Sequence, residues 1–526
     1  MAVSRITIAV AFAVAVATVL AGCGRGTTRA ATATLVVSLN GDPGALNPAV
    51  TTSGNTHPVT DQIFNGLVGL DQALAPVPEL AERWTIEDEG RTYRFALRRG
   101  VRWHDGRPFT SADVKFTFEE ALLKYHSRTR AALQDLLERV DTPDDYTAVF
   151  RLRRPYSPLL QRLDVVEASI IPQHAYVGQD LLAGEATRHP IGTGPFRFVS
   201  YAPADRVVLE RNPSYFRAGL PGVDRLVFRI LPNAATAVAA LEKGEVDYVG
   251  SVGGPEVERL RQTPGIAVVS GTGGSGGSVC EDVLIPNLSR RPLNDLRVRR
   301  AIAMALDRQF IVDRVYFGQG RPATGPISHL LAWAYTPDVR QYPHDVTAAG
   351  QLLDEAGVKP ARGGERFAIT FTHANTQQRL GQAVREQLKA VGITVNLETL
   401  DFNAAVDRVF VKKNFDLGMA SYCNGADPDI GVRRVYVSSN IGPFPFSNGA
   451  GYRNPRIDEL FDEASRFADR EARRVRYVEI QKILADDVPY FWIVDSEGLR
   501  AHRTAFSGFR LWTGAFVETV RPASGR

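Results

Sequence analysis

The stretch FAITFTHANTQQRLGQAVREQLKAVGITVNL, residues 367–397, contains a strand, a helix and a second strand in direct succession. Its first and last segments alternate apolar and polar residues, which is the period of a half-buried strand. The middle segment places Leu380, Val384 and Leu388 on one helical face, and Gly392 ends that helix. Two strands joined by one such helix are usually parallel, with a right-handed crossover. The stretch therefore predicts an α/β fold.

The strongest candidate for a binding site follows the next predicted strand. That strand covers residues 415–422 and ends in the polar loop CNGADPD, residues 423–429. Ligands collect beyond the carboxyl ends of strands in open α/β sheets, so we expect the site at this loop. Two interpretations of Asp427 and Asp429 stay open: they bind a cationic ligand or serve acid–base chemistry, or they shape an Asx turn around Pro428.

Aromatic and basic side chains supply further candidates for ligand contact. The aromatic residues in turn-rich segments either stack on a ligand or pack in the core. They are Trp333, Tyr335, Tyr422 and Phe446. Arg433 and Arg434 follow the loop, and they either hold a ligand carboxylate or form a solvated helix face.

The N-terminal segment predicts export and a lipid anchor. Arg5 precedes a short apolar run, which is typical of a secretory signal peptide rather than of a membrane span. The run ends in Leu-Ala-Gly-Cys at residues 20–23, and this pattern resembles the bacterial lipobox, in which the Cys becomes the first mature residue and carries the lipid. We therefore expect a signal peptide over residues 1–22, acylation of Cys23 and a flexible tether over residues 23–34. The expected location is the outer face of the cytoplasmic membrane or the periplasmic space.

Composition argues against several kinds of partner. The 62 basic and 58 acidic residues leave a net charge of +4 without a concentrated basic run, so we do not expect nucleic acid as a partner. The nine His residues show no H-E-x-x-H spacing and no nearby Cys pair, so we expect neither a metal nor a cofactor. An exported compartment permits Cys280 and Cys423 to pair, and a disulfide and two free buried thiols stay open as alternatives.

A secreted hydrolase is the alternative from another functional class. Residues 273–277, GGSGG, match the pattern G-x-S-x-G with Ser275 in the place of the nucleophile. That pattern needs a strand before it and a helix after it, whereas residues 278–284 do not read as a helix. We interpret the segment as a Gly-rich linker and do not expect an enzyme.

Segments distributed along the chain resemble, in their order, the extracellular solute-binding proteins of ABC importers, family 5, which includes dipeptide, oligopeptide and nickel binders. One such segment alone is a weak signal, whereas several in register are a strong one. The segments are IFNGLV (63–68), LAERW (80–84), WHDG (103–106), PFT (108–110), GTGPF (192–196), RNP (211–213), YF (215–216), GEVD (244–247), PLND (292–295), RVR (297–299) and LLDEAG (352–357).

The resemblance implies a two-lobed periplasmic-binding-protein-like fold of type II, with three domains and a ligand cleft between the lobes. The implied domains are domain I (35–70, 188–279 and 488–526), domain II (71–187) and domain III (280–487). The chain would cross between the lobes near Cys280 and near residue 488. We expect a monomer that closes on a small-molecule or short-peptide ligand and docks on ABC permease subunits driven by a cytoplasmic ATPase. A binding fold used for sensing or surface interaction is a further alternative.

The resemblance also bears on the ligand. In the family's peptide binders, an Asp three residues before the acidic-Pro step pairs with the ligand's amino terminus. That position is Asn424 in this chain, and an amide offers dipoles but no charge, unless Asp427 or Asp429 replaces the missing carboxylate. We expect a small polar or zwitterionic ligand, such as a short peptide or an amino-acid derivative.

Overall fold

We describe the fold from a computed structural model of the chain. The structure describes residues 33–254, 256–270, 280–443, 445–496, 498–511 and 514–523. The predicted signal peptide, Cys23 and Ser275 lie outside these residues. Of the predicted tether, only residues 33 and 34 are described, and Thr34 begins the first strand. No helix in the described ranges is long and apolar enough to cross a membrane.

Strands occur along the whole described chain. They are β1 Thr34–Leu39, β2 Val68–Leu70, β3 Pro76–Pro78, β4 Ala81–Glu87, β5 Thr92–Leu97, β6 Leu137–Asp144, β7 Thr147–Leu152, β8 Phe196–Ala202, β9 Arg206–Arg211, β10 Arg225–Ile230, β11 Tyr248–Val249, β12 Ile266–Ser270, β13 Cys280–Pro286, β14 Arg321–Pro322, β15 Phe367–Ala374, β16 Ile393–Leu400, β17 Leu417–Cys423, β18 Phe491–Ser496, β19 Leu499–Arg503, β20 Phe506–Ser507 and β21 Arg521–Pro522.

Helices cover the sheets and connect their strands. The α-helices are His57–Thr60, Ser111–Phe116, Leu123–Tyr125, Ser127–Leu133, Val165–Ala168, Gln173–Tyr176, Glu185–Arg188, Ala234–Lys243, Glu256–Arg261, Leu296–Ala305, Arg308–Arg314, Val346–Glu355, Gln378–Lys389, Phe402–Val406, Pro428–Gly431, Arg433–Tyr436, Pro455–Arg466 and Arg470–Asp487. Thr117–Leu122 and Asp407–Val411 are π-helical. The 3₁₀ segments are Pro48–Val50, Asp88–Gly90, Ser157–Arg162, Asn375–Gln377 and Ser438–Asn440.

Three larger sheets organise the described residues. The first sheet has the strand order β12-β19-β11-β1-β10-β9-β8, and the second has the order β14-β18-β13-β17-β15-β16. The third sheet is the antiparallel set β4-β5-β7-β6, and β2-β3 and β20-β21 form two small pairs. The first two sheets contain both parallel and antiparallel pairs. For example, β1 lies parallel to β10 in the first sheet, and β13 lies antiparallel to β17 in the second.

The predicted strand–helix–strand unit is confirmed in the second sheet. β15 and β16 pair in parallel from Phe367 opposite Ile393 to the ends of both strands, and the helix Gln378–Lys389 connects them. Gly392 has a φ of 78°, and a Cβ there would lie 2.5 Å from the carbonyl oxygen of Gly364. Glycine is therefore required where the chain turns from the helix into β16.

The second sheet is buried on both faces. Trp492 of β18 packs in a cluster with Tyr422, Phe461 and Tyr477, whereas the next residue, Ile493, belongs to the cluster on the opposite face. Successive side chains of a strand point to opposite faces, so the residues of β13, β17 and β18 divide between the two clusters. We call the cluster that contains Tyr422 the aromatic core of the second sheet.

The strand that follows residue 488, β18, lies in the second sheet. β18 pairs along its length with β13 and therefore belongs to the second sheet, whereas β19 pairs with β12 in the first sheet. The chain thus leaves the second sheet after Ser496. The reason is that the apolar run of β18 is buried in both clusters of that sheet, while Val488 ends the preceding helix in a left-handed conformation.

Candidate functional site

The loop after β17 begins beside a disulfide. Cys280 of β13 and Cys423 of β17 lie opposite each other in the antiparallel register, and their sulfurs are bonded in the structure. Asn424 follows and is buried, with its side-chain oxygen accepting a hydrogen bond from the backbone N–H of Ser328 at 2.8 Å. Gly425 turns the chain with a φ of 69°. The loop is thus anchored at its first residues to two other segments.

Asp427 forms a buried ion pair with Arg473. Its two oxygens accept hydrogen bonds from the guanidinium of Arg473 at 2.6 and 2.8 Å, and the hydroxyl of Tyr477 lies 3.3 Å from Oδ1. Oδ1 also accepts from the backbone N–H of Asp429 at 2.9 Å, which forms the turn around Pro428. The structure supports the turn-forming interpretation of Asp427. It argues against Asp427 as a ligand's ammonium anchor, because the carboxylate is fully buried and already neutralised.

Asp429 connects the loop to the segment that follows β7. Its Oδ2 accepts a hydrogen bond from the hydroxyl of Tyr156 at 2.6 Å, and its carbonyl oxygen accepts one from Arg162 at 3.3 Å. Arg433 lies on the other side, with Nη1 3.5 Å from Asp429 and Nη2 2.5 Å from Asp462. Asp429 and Arg433 therefore hold two parts of the molecule together. The alternative of a solvated helix face does not describe Arg433.

Tyr422 and Phe446 are packed in the aromatic core of the second sheet. The hydroxyl of Tyr422 donates to the carbonyl of Ser447 at 2.9 Å, and its ring lies edge-on to Phe410 at 6.3 Å. Phe446 contacts the same Phe410 ring at 5.4 Å. Arg434 is half-buried, with its guanidinium 5.9 Å from the centre of the Tyr422 ring. Packing is therefore the main role that the contacts give to both aromatic residues.

Trp333 lies beside Arg473, the partner of Asp427, and packs against the aromatic core of the second sheet. Its ring is 4.6 Å from the guanidinium of Arg470 and 5.3 Å from that of Arg473, and it meets Tyr477 edge-on. Its indole Nε1 is buried and has no hydrogen-bond partner among the described residues. The eight predicted contact residues thus have different partners. Asp427 pairs with Arg473, Asp429 with Tyr156 and Asn424 with Ser328, whereas Trp333 and Phe446 both pack against the aromatic core that contains Tyr422.

Sequence reasoning missed a charged group that we call the arginine cluster: Arg128, Arg162 and Arg434, with Glu167. Arg128 and Arg162 approach the carboxylate of Glu167 at 3.2 and 3.8 Å. Burial opposes the charge of Glu167, yet the two guanidinium groups hold its pKa below the usual value. Burial lowers the pKa of Arg434, and Arg128 and Arg162 add repulsion to that effect. Arg434, which follows the loop, is thus within electrostatic reach of two arginines from a distant part of the sequence.

The arginine cluster has hydrogen-bonding capacity to spare. Arg128 Nε, Arg162 Nη1 and Glu167 Oε2 are buried and lack a hydrogen-bond partner in the described part of the chain. Buried polar atoms are nearly always satisfied, so such a group marks a place for water or for a ligand. No motif signals this cluster, because its members come from segments far apart in sequence. A group of three or more His, Cys, Asp or Glu residues arranged to hold a metal ion is absent from the described ranges.

Comparisons with known proteins agree with this architecture. The family described as bacterial extracellular solute-binding proteins, family 5 Middle, matches residues 75–443. Di/tripeptide-binding protein 2 of Pseudomonas aeruginosa is 30% identical over 506 residues, which covers 91% of this chain and 92% of that protein.

Solved structures show the same fold. DppA of Helicobacter pylori in complex with the peptide STSA matches with a TM-score of 0.78 at 25% identity, covering 93% of this chain and 98% of that one. The oligopeptide-binding protein AppA of Bacillus subtilis, in complex with a nonapeptide, matches with a TM-score of 0.78 at 26% identity, covering 93% and 99%. The predicted two-lobed α/β fold and the prediction of a binding protein rather than an enzyme are confirmed. The chain belongs to family 5 of the bacterial extracellular solute-binding proteins.

Proposed function

We propose that this chain is the substrate-binding lipoprotein of an ABC importer. It captures a small polar or zwitterionic solute, a short peptide or an amino-acid derivative, and delivers it to a membrane permease. Membership of family 5 supports this proposal, and the relatives include a protein named as di/tripeptide-binding. The observation that carries the choice of solute is the arginine cluster, because three guanidinium groups in one place suit a ligand carboxylate and two of them, Arg128 and Arg162, have an unsatisfied N–H.

The sheets suggest how the two lobes are built. We assign the first sheet to one lobe, together with the third sheet as its extra domain over residues 71–187. The other lobe holds the second sheet, and we propose that it extends from residue 280 to 496. The contacts of Asp429 with Tyr156 and Arg162 then lie between the lobes, at the place where hinge closure would bring them together.

Arg434 is the residue of the arginine cluster that we expect to bind the ligand's carboxylate. It is half-buried, its Nε donates to the carbonyl of Gly431 at 3.2 Å, and the rest of its guanidinium faces the Tyr422 ring. A planar guanidinium holds a carboxylate through two parallel hydrogen bonds, so Arg434→Met should weaken ligand binding on the order of 10- to 100-fold. Arg385→Met is the matched control, since Arg385 is exposed and pairs with the adjacent Glu386.

The function is tested first by identifying the cargo. Native mass spectrometry of purified protein should reveal a co-purified peptide or amino-acid derivative, and calorimetric titration should show binding of dipeptides, tripeptides or amino-acid derivatives. The Arg434→Met and Arg385→Met variants are titrated in parallel. Binding that is restricted to a sugar or to a metal chelate would overturn the proposed solute class.

The lipid anchor requires its own test. Replacing Cys23 with Ser should stop incorporation of a labelled fatty acid and should move the protein from the membrane fraction to the soluble fraction. An unchanged distribution would contradict the anchor and leave solute binding untouched. Solute uptake by cells that lack the cognate permease separates import from sensing, because import requires the permease and sensing does not.

A further inference from the structure

A second buried carboxylate lies beside the loop on the neighbouring strand. Glu281 is the second residue of β13, and it faces Tyr422 of β17 on one side and Asp495 of β18 on the other. Directly opposite residues of paired strands share a face of the sheet. Glu281 therefore lies next to Tyr422, on the face of the sheet that carries the aromatic core, and close to Asn424.

The two carboxylates differ in how well they are satisfied. Asp495 accepts a hydrogen bond from the hydroxyl of Ser328. It accepts two more from His329, one from the backbone N–H at 2.9 Å and one from the ring. Glu281 is only 3% exposed, and its hydrogen-bonding neighbour is the side-chain amide of Asn424. Among the described residues no Lys, Arg or His forms an ion pair with Glu281. A buried carboxylate without a cationic partner is costly, so a cationic group of a ligand would stabilise the ionised Glu281.

Charged and titratable groups face Glu281 from each neighbouring strand and loop. Burial and then repulsion from Asp495 raise the pKa of Glu281 well above its usual value, whereas Asn424 and Arg321 oppose that rise. Tyr422 lies opposite Glu281 on β17, and Tyr436 interacts with Glu281 as well. The Tyr436 hydroxyl accepts a hydrogen bond from the indole N–H of Trp492 at 2.9 Å, and the His329 ring pairs with the neighbouring Asp495. Burial therefore favours the protonated form of an unliganded Glu281, and a cation placed against it would favour its ionised form.

We propose that Glu281 binds the ammonium group of the ligand and so takes the role that the uncharged Asn424 does not fill. This inference rests on the proposed function. Glu281 and Arg434 both neighbour Tyr422, one on the adjacent strand and one over its ring, so the cation-binding and carboxylate-binding groups lie close together. That arrangement favours a short zwitterion, such as a dipeptide or an amino-acid derivative, over a long peptide.

Proton release follows from this assignment. Binding of an ammonium ligand to protonated Glu281 forms the carboxylate–ammonium pair, and the Glu281 proton passes to the solvent. Calorimetric titration at pH 7 in phosphate and in Tris buffer counts the released protons, because the two buffers differ in their heat of protonation. We expect net proton release when a ligand with a free amine binds to the wild-type protein, because its ammonium group favours the ionised form of Glu281.

The test uses a panel of dipeptides and amino acids together with N-acetylated forms of the same compounds. Wild type should bind members with a free amine and not their acetylated forms. Glu281→Gln keeps the shape and should weaken that binding on the order of 100-fold and abolish proton release. Glu386→Gln, on an exposed helix position, is the matched control and should bind as wild type does. Asn424→Asp introduced into the Glu281→Gln protein should restore binding of free amines.

The outcomes separate the two proposals. If Glu281→Gln and wild type bind the free amines equally well, the role of Glu281 is overturned while the proposed function stands. If wild type binds no amine or zwitterion in the panel, the proposed solute class and the role of Glu281 both fail. A thermal unfolding curve of Glu281→Gln that resembles that of wild type shows that the loss of binding is local.

Discussion

Replacing Asp427 with Asn tests whether this carboxylate is structural. Asp427 is fully buried and Arg473 is 3% exposed, so their pair is removed from water. Asn keeps the side-chain oxygen that accepts from the backbone N–H of Asp429, and the turn should therefore survive. The guanidinium of Arg473 would retain the neutral acceptors Ala464, at 2.8 Å, and Tyr477, at 2.8 Å, but lose its counter-charge.

The expected loss follows from the burial of the pair. Breaking a buried ion pair by neutralising one partner costs about 3–5 kcal/mol, and we expect the lower end because two neutral acceptors remain. The free energy of unfolding is measured by urea titration with circular dichroism, and ligand affinity is measured on the same samples. Asp338→Asn is the control: Asp338 pairs with Lys482 at 2.7 Å but is 84% exposed, so less than about 1 kcal/mol should be lost.

The double variant Asp427→Asn with Arg473→Met should recover part of the lost stability, because it also removes the uncompensated charge. The reasoning is refuted if Asp427→Asn unfolds at the same urea concentration as wild type yet no longer binds ligand. That result would make Asp427 a ligand-binding group.

Two further predictions concern pH and the disulfide. His104 has a pKa that burial lowers to about 4, and it is held as the neutral ring, with Nδ1 accepting from the backbone N–H of Gly192 and Nε2 donating to the carbonyl of Gly194. Because the folded pKa lies below the unfolded value of about 6.5, the contribution of His104 to stability is complete above pH 6.5 and is lost as pH falls toward 4. When the urea midpoint of unfolding is plotted against pH, His104→Gln should flatten the curve between these two values. An unchanged slope would contradict the assignment. Reducing the Cys280–Cys423 bond, which joins residues 143 positions apart, should lower the free energy of unfolding by about 4–5 kcal/mol in the loop-entropy account. The double variant Cys280→Ser/Cys423→Ser should unfold alike with and without reductant. Mass mapping that finds both thiols free would remove the basis of this expectation.

Local patterns were enough to predict the elements that lead to the site. The parallel pair of β15 and β16 followed from alternation, helical spacing and one glycine. The loop of residues 423–429 was placed correctly after a strand of the second sheet because turn-forming residues follow an apolar run there. Local patterns do not indicate that β18 belongs to the second sheet, since a break between a helix and a strand looks the same in sequence whether or not the strand stays in the same sheet.

The order of its segments was sufficient, without coordinates, to identify the family and the class of fold, and the N-terminal residues alone predict the anchor. The tertiary structure decided which carboxylates form an ion pair with a basic side chain and which do not. Asp427 is neutralised by Arg473, which comes 46 residues later, and Glu281 lies beside Asp495 through strand pairing over a much larger separation. Ion pairing and burial depend on which distant segments meet. A sequence pattern records only neighbours along the chain, so it cannot distinguish a carboxylate that stabilises the fold from one that is left to bind a ligand.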